Sequence, residues 1–188
     1  MERLELLKRT LRESAIVKRG EYPYVVHPAT DGIPRMEQDL LEEIIDEFVR
    51  IGDFDNCDLI LTVESIGIIF AAPLTLRTGK PFNIVRKRMY GLPGEMNLKQ
   101  MTGYSKSDLY VNGISRGDRV IIVDDVVSTG GTLRALIEGL KGMGAEIVDI
   151  LIAVEKGTGR EELEKQYGLT IKSLVRIDVS EDGVRIIE

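Results

Sequence analysis

The 188-residue chain has no tryptophan, one cysteine and one histidine, and its aromatic content is only 5%. A solitary cysteine, Cys57, excludes an intramolecular disulfide framework and agrees with a reducing compartment. Cys57 stands between Asn56 and Asp58 with no histidine near it in sequence, which argues against a nucleophile. The single histidine, His27, lies in a proline-flanked stretch with no cysteine or second histidine to join it, so a zinc-type ligand set is missing. Long apolar runs are also lacking. The longest, Ile66 to Leu76, is interrupted by Pro73 and falls well short of the roughly 18 residues that a membrane span needs. The opening Met-Glu-Arg-Leu-Glu has no apolar signal core, so a cytoplasmic protein with no membrane partner is expected. Bases are in deficit, 25 against 31 acids for a net charge of −6, which speaks against a general nucleic-acid binder.

The deficit is uneven. Between Arg77 and Lys106 stand seven bases (Arg77, Lys80, Arg86, Lys87, Arg88, Lys99 and Lys106) and one acid, Glu95, a local charge of +6 that leaves −12 on the rest. A basic segment within an acidic chain points to a local anion site rather than a nucleic-acid surface.

What is present in quantity is alternation. Glu2 to Ala15 is predicted helical from the spacing of Leu4, Leu7 and Leu11, a turn-rich stretch runs from Arg19 to Arg35, and Glu37 to Arg50 has the pattern of a second amphipathic helix. Strands are then predicted at Leu59–Val63, Phe82–Val85, Val120–Val123, Ile147–Val154 and Ile171–Ile177, with helices at Gly67–Thr78, Gly130–Met143 and Arg160–Tyr167. Such an order implies an α/β fold, a mostly parallel twisted sheet with helices on both faces. One domain is expected over residues 1–188, with approximately 1–35 and 155–188 forming a small hood. The stretch from Met89 to Lys106 is long for a connection and rich in Gly, Pro and Lys, which suggests a cationic lid.

The most informative stretch is Val120-Ile-Ile-Val-Asp-Asp-Val-Val-Ser-Thr-Gly-Gly-Thr-Leu133. An apolar strand runs into two carboxylates, then into a hydroxyl- and glycine-rich turn, then into a helix. Glycines let backbone N–H groups approach an anion, hydroxyls add donors, and a helix N-terminus adds partial positive charge. In an open parallel sheet this position, at the carboxyl end of a strand, is where ligands bind. Neither the Walker nor the dinucleotide spacing of glycines is present. Two acids beside a phosphate cradle would repel a bare polyphosphate, but they suit a sugar phosphate whose hydroxyls they accept.

Val123-Asp-Asp-Val-Val-Ser-Thr-Gly-Gly-Thr132 resembles the phosphoribosyl-diphosphate (PRPP) signature of the type I phosphoribosyltransferases. Val63-Glu-Ser-Ile-Gly-Ile-Ile-Phe70 is similar to the pyrophosphate loop of purine members. Pro81-Phe-Asn-Ile-Val-Arg-Lys-Arg88 and Gly91-Leu-Pro-Gly-Glu95 are similar to the strand and flexible loop of adenine and xanthine members. Over essentially the whole chain, including Gly20 to Gly32 and Thr102-Gly-Tyr-Ser-Lys106, the resemblance is to the archaeal-type hypoxanthine/guanine branch.

The resemblance implies the type I phosphoribosyltransferase fold and purine salvage, forming IMP and GMP plus pyrophosphate from PRPP and an oxopurine. It implies catalytic Asp124 and Asp125 at the ribose hydroxyls, and a 5′-phosphate site of Val127, Ser128, Thr129, Gly130, Gly131 and Thr132. It implies a pyrophosphate loop of Glu64, Ser65, Ile66 and Gly67, with Arg86, Lys87 and Arg88 as cationic donors, since Ile66 stands where adenine-type members often have Arg. A lid containing Tyr104, Ser105 and Lys106 is implied, as are a homodimer and Mg²⁺ carried mainly by PRPP and water rather than by direct ligands. Lys156 is implied as the purine-binding donor, because an ammonium suits a carbonyl oxygen and opposes the amino group of adenine. Ser128 replaces an acid that one branch offers as a base, which leaves the lid, solvent or Glu64 to take the proton. An adenine- or xanthine-specific enzyme, and a PRPP-sensing regulator, are the alternatives.

Overall fold

The pattern of short apolar strands separated by amphipathic helices becomes a six-stranded sheet in the computed structural model, which describes residues 3–20, 22–98 and 108–187. The elements are α1 (Glu5–Arg12), β1 (Ala15–Arg19), β2 (Tyr22–Val26), α2 (Pro28–Asp31), α3 (Gln38–Ile51), β3 (Leu59–Val63), α4 (Ile68–Thr78), β4 (Phe82–Val85) and β5 (Met96–Asn97). They continue with β6 (Tyr110–Val111), β7 (Arg119–Val127), α5 (Gly131–Met143), β8 (Glu146–Lys156), α6 (Gly159–Tyr167), β9 (Lys172–Ser180) and β10 (Gly183–Ile186). The main sheet runs β10-β9-β8-β7-β3-β4, parallel throughout except for antiparallel β10.

The central strands are apolar without interruption because both faces are covered. Ile121, Val123, Leu151 and Ala153 pack with α1, α3 and α4 on one face, where Phe48 and Phe70 meet edge to face with ring centroids 5.8 Å apart. Val120, Ile122, Ile150 and Ile152 pack with α5 and α6 on the other. From β3 the chain crosses through α4 to β4 on one side. It later returns to β7 on the other side of β3 and proceeds through α5 to β8. The strand order therefore reverses between β3 and β7, and a crevice opens at their carboxyl ends.

Three sequence expectations change. The turn-rich stretch contains a hairpin, β1 on β2, followed by the one-turn helix α2. Pro23 and Pro28 disguised it, but Pro23 lies in a two-stranded hairpin, each of whose strands is an edge where a missing N–H is tolerated. The strand predicted at Val120–Val123 extends to Val127, so Asp124 and Asp125 belong to β7 itself, with Asp124 paired opposite Ile152 and Val127 opposite Glu155. The C-terminal residues expected in the hood extend the main sheet as β9 and β10. Both carry alternating apolar residues that pack on the helical layer containing α1.

His27 fastens the N-terminal segment. It is buried; its Nδ1 accepts from the Ala29 N–H at 3.0 Å, so Nε2 carries the proton and donates to Thr10 Oγ1 at 2.9 Å. Burial lowers its pKa from 6.5 to about 4, against the opposing attraction of Asp31. A histidine kept neutral in the fold contributes stability that is complete above pH 6.5 and is lost as pH falls toward 4. We expect chemical denaturation at pH 4 and pH 7 to show up to about 3 kcal/mol more acid destabilisation in the native protein than in His27→Asn. Equal pH slopes in the two proteins would exclude His27 as the acid-sensitive group.

Candidate active site

The crevice at the switch point is floored by the end of β7 and walled by the loops after β3, β4 and β8. Beyond Val127, Ser128 and Thr129 lead to Gly130, whose φ of 74° is open to glycine at little cost, and α5 begins at Gly131. The turn bounds a cavity of about 170 Å³ lined by Asp124, Val126 and Val127, residues Ser128 to Leu133, and Ile152. Thr129, Gly131 and Thr132 are exposed, so the N-terminus of a 13-residue helix opens into this space with hydroxyls on its rim.

The turn is braced from behind by residues that sequence reasoning missed. Gly159 N–H donates to Ser128 O at 3.0 Å. A methyl on Gly159 would lie 2.2 Å from that oxygen and 2.7 Å from Gly130 N, so only glycine admits the contact. Arg160, next along α6, donates to the fully buried Glu155 at 2.9 Å, and Ser173 Oγ donates to the same carboxylate oxygen at 2.7 Å. The run Gly157-Thr-Gly159 directly after a buried strand was the available signal.

Asp124 and Asp125 are half-buried on the crevice floor. Asp124 lines both the phosphate-type cavity and a second one of about 200 Å³, which it shares with Val63, Glu64, Lys87, Leu109, Asp125, Val126 and Thr132. The Asp125 N–H donates to Asp124 Oδ1 at 3.0 Å. Burial, joined by the charge of Asp125, holds the Asp124 carboxyl well above its usual pKa range. Burial also raises Asp125, and Asp31 in α2 adds to the effect. A ligand that donates hydrogen bonds or brings positive charge would favour the ionised form of both carboxylates.

The loop after β3 packs against β7 through Gly67. A Cβ there would lie 2.9 Å from Asp124 Oδ1 and 3.3 Å from Val123 O, so the loop lies directly on the carboxylate strand. The Glu64–Ser65 peptide is cis, and Ser65 is exposed at the rim. Ile66 turns toward the N-terminal segment, where a Cβ on Gly32 would be 3.5 Å from its Cδ1.

The three expected bases separate. Arg86 forms an ion pair with Glu64 at 3.0 Å, and Glu64 also accepts the Lys87 N–H at 2.5 Å. Glu64 thus joins the loop after β3 to the start of the loop after β4. Lys87 lines the second cavity beside the carboxylates, whereas Arg88 is exposed, donates to the Tyr90 hydroxyl at 3.0 and 3.1 Å and lies over the Tyr90 ring at 4.9 Å.

Glu95 folds the start of the expected lid by accepting the N–H groups of Tyr90 and Gly91 and the amide of Asn112. Tyr104, Ser105 and Lys106 lie outside the described residues. Lys156, at the end of β8, is apart from the two cavities. Its Nζ donates to Pro23 O in β2 at 3.4 Å, between the sheet and the hairpin. Above the carboxylates, α2 packs on β7 and β8, with Asp31 held by the Tyr24 hydroxyl at 2.6 Å and by Thr30 Oγ1 at 2.7 Å.

Residues 33–184 match the family model described as phosphoribosyl transferase domain. The chain is 51% identical over 185 residues to a hypoxanthine/guanine phosphoribosyltransferase of Methanohalophilus mahii, covering 98% of this chain and 96% of that one. It is 54% identical over 180 residues to a protein of the same name from Methanocaldococcus infernus, covering 96% and 98%. Among solved structures, the adenine phosphoribosyltransferase of Thermoanaerobacter pseudethanolicus matches with a TM-score of 0.70 at 25% identity, covering 90% of this chain and 99% of that one.

Two substitutions test the geometry by calorimetry with PRPP. Gly159→Ala displaces the phosphate-type turn, and we expect affinity to fall about ten- to a hundredfold with the fold retained. Asp125→Asn is expected to abolish measurable binding while circular dichroism is unchanged. An unaltered isotherm for either variant would remove that residue from the site.

Proposed function

The chain belongs to the phosphoribosyltransferase family, and from that premise we propose that it is a purine-salvage enzyme that transfers the phosphoribosyl group of PRPP to hypoxanthine and guanine, giving IMP or GMP and pyrophosphate. The observation that carries this reading is the placement of two carboxylates between a helix-terminus anion cradle and a wall bearing Lys87 and Arg86. A sugar with a phosphate at one end and a diphosphate at the other meets each group in turn. The curated relatives at about half identity supply the purine class.

In this scheme Ser128 to Thr132 hold the 5′-phosphate, and the ribose hydroxyls donate to Asp124 and Asp125. A purine ring nitrogen attacks C1 as the bond to pyrophosphate lengthens, so positive charge grows on the sugar and negative charge on the leaving group. The two carboxylates favour the cationic sugar, while Lys87, with Arg86 and Arg88 in the same segment, offsets the departing charge. Residues 104–106 belong to the segment proposed to close over the crevice and exclude water. Among the described residues no three His, Cys, Asp or Glu side chains cluster as a metal site. A crevice with few carboxylates suits a hydrated Mg²⁺ carried by the diphosphate, where it would neutralise phosphate charge.

Lys156 is the proposed donor to the purine's exocyclic oxygen. Its ammonium lies where β8 meets the hairpin, and Asp31 and Tyr24 stand at the same junction. The proposed form is a cytoplasmic homodimer, which the exposed Leu76 on α4 and Phe82 on the edge strand β4 favour. No described helix is long and apolar enough to cross a membrane.

A spectrophotometric assay with PRPP, Mg²⁺ and hypoxanthine, guanine, xanthine, adenine or orotate tests the proposal. Turnover of hypoxanthine and guanine is expected; turnover of adenine alone would refute it, and failure with every base would favour a PRPP sensor. Lys156→Met is expected to lower kcat/KM for hypoxanthine about a hundredfold while PRPP affinity holds. Retained activity would release Lys156 from the purine site.

A further inference from the structure

Strand β3 reads Leu-Ile-Leu-Thr-Val, and its one polar side chain, Thr62, is fully buried. Its Oγ1 has no hydrogen-bond partner among the described residues. Valine has the same shape, a higher strand preference and no hydroxyl to desolvate, so packing alone gives no reason for threonine here. A buried orphan hydroxyl in a well-packed strand calls for a function.

Its position supplies one. The Gly67 hydrogen that stands in place of a side chain looks into a small gap bounded by Thr62 Oγ1 and Asp124 Oδ1. A Cβ there would be 2.1 Å from the first oxygen and 2.9 Å from the second. Asp124 Oδ1 already accepts one N–H, from Asp125, and a carboxylate oxygen has room for a second donor. Arg86 is paired with Glu64, and Lys87 lines the second cavity beside the carboxylates. Thr62 is the buried hydroxyl, without a partner among the described residues, that borders Asp124 at Gly67.

We propose that Thr62 is a positioning residue that donates its hydroxyl hydrogen bond to Asp124 when the crevice fills, holding that carboxylate ionised and aimed at the sugar. Burial disfavours the charged carboxylate, and a hydroxyl donor at its buried side offsets that cost. When sugar hydroxyls approach from above, Asp124 must carry charge to accept them. A donor already buried below then needs only a change of side-chain rotamer, with no ordering of a loop. The cost of the orphan in the free protein is recovered as ligand affinity. This inference rests on the assignment of Asp124 to the ribose.

The test is a set of single and paired variants, read by PRPP calorimetry in the presence of Mg²⁺, by kcat/KM and by thermal midpoint. Thr62→Val is expected to weaken PRPP about tenfold, with purine KM unchanged and the midpoint unchanged or raised. Thr62→Ser is expected to bind PRPP about tenfold more tightly than Thr62→Ala, and since both lack the methyl group this pair isolates the hydroxyl even if valine disturbs the fold. In an Asp124→Asn background, Thr62→Val is expected to cause no further loss of kcat/KM for PRPP. Native PRPP affinity in Thr62→Val, equal affinities for the serine and alanine variants, or an undiminished loss in the Asp124→Asn background would each overturn the proposal. Native affinity in Asp124→Asn alone would instead overturn the ribose assignment beneath it.

Discussion

The parallel pairing of β3 with β7 is the contact on which the crevice depends. In register, Leu59 lies opposite Val120 and Leu61 opposite Ile122, so β3 ends at Val63 about level with Asp124 while β7 continues to Val127. The loop leaving β3 and the carboxylates ending β7 are then forced together, and at Gly67 the separation leaves no room for a methyl group. Because the chain departs from the two strands in opposite directions, a crevice is left between their connections at that end. Apolar burial on both faces of the sheet fixes the register, since a slip of one residue would turn the core side chains to the wrong face.

The electrostatics follow from this enclosure. Carboxylates at the end of a buried strand lose solvation, so both are shifted upward chiefly by burial; the charge of Asp125 adds to the shift of Asp124, whereas Asp125 is raised further by Asp31 and lowered by its hydrogen bond with Asp124. The +6 segment, by contrast, is not one surface. Arg77 pairs with Asp46, Lys80 donates to Cys57 O at 2.8 Å, Arg86 pairs with Glu64 and Arg88 stacks on Tyr90. Of the described bases in that segment, Lys87 is the one that lines the cavity holding both carboxylates. Linear charge density marks a stretch of chain, but the pairing of each base depends on which acid the fold brings near it.

Particular residues show where sequence reading succeeds and where it stops. Asp-Asp followed by Ser-Thr-Gly-Gly-Thr was readable because local conformation and chemistry coincide there: the strand, the positive-φ glycine and the helix start are consecutive. Gly159 was not readable as part of the site, although it braces the glycine-rich turn, because its contact joins a segment some thirty residues away in the chain. The β1–β2 hairpin escaped for a local reason, as its prolines obscure the strand pattern. Asp31, more than ninety residues before the carboxylates in the chain, reaches them only because α2 packs across β7 and β8.

Taken by itself, the order of residues determined the alternating α/β class, the parallel sheet, the acidic pair and the glycine-rich turn, since each is encoded by neighbours within one or two turns of chain. Only the tertiary structure decided that the acids lie inside the strand rather than after it, that Glu64 is tied to Arg86, and that Thr62 and Asp124 border the same gap. These depend on strand register and on the absence of one methyl group at Gly67, quantities of a few ångströms that arise only when distant segments pack.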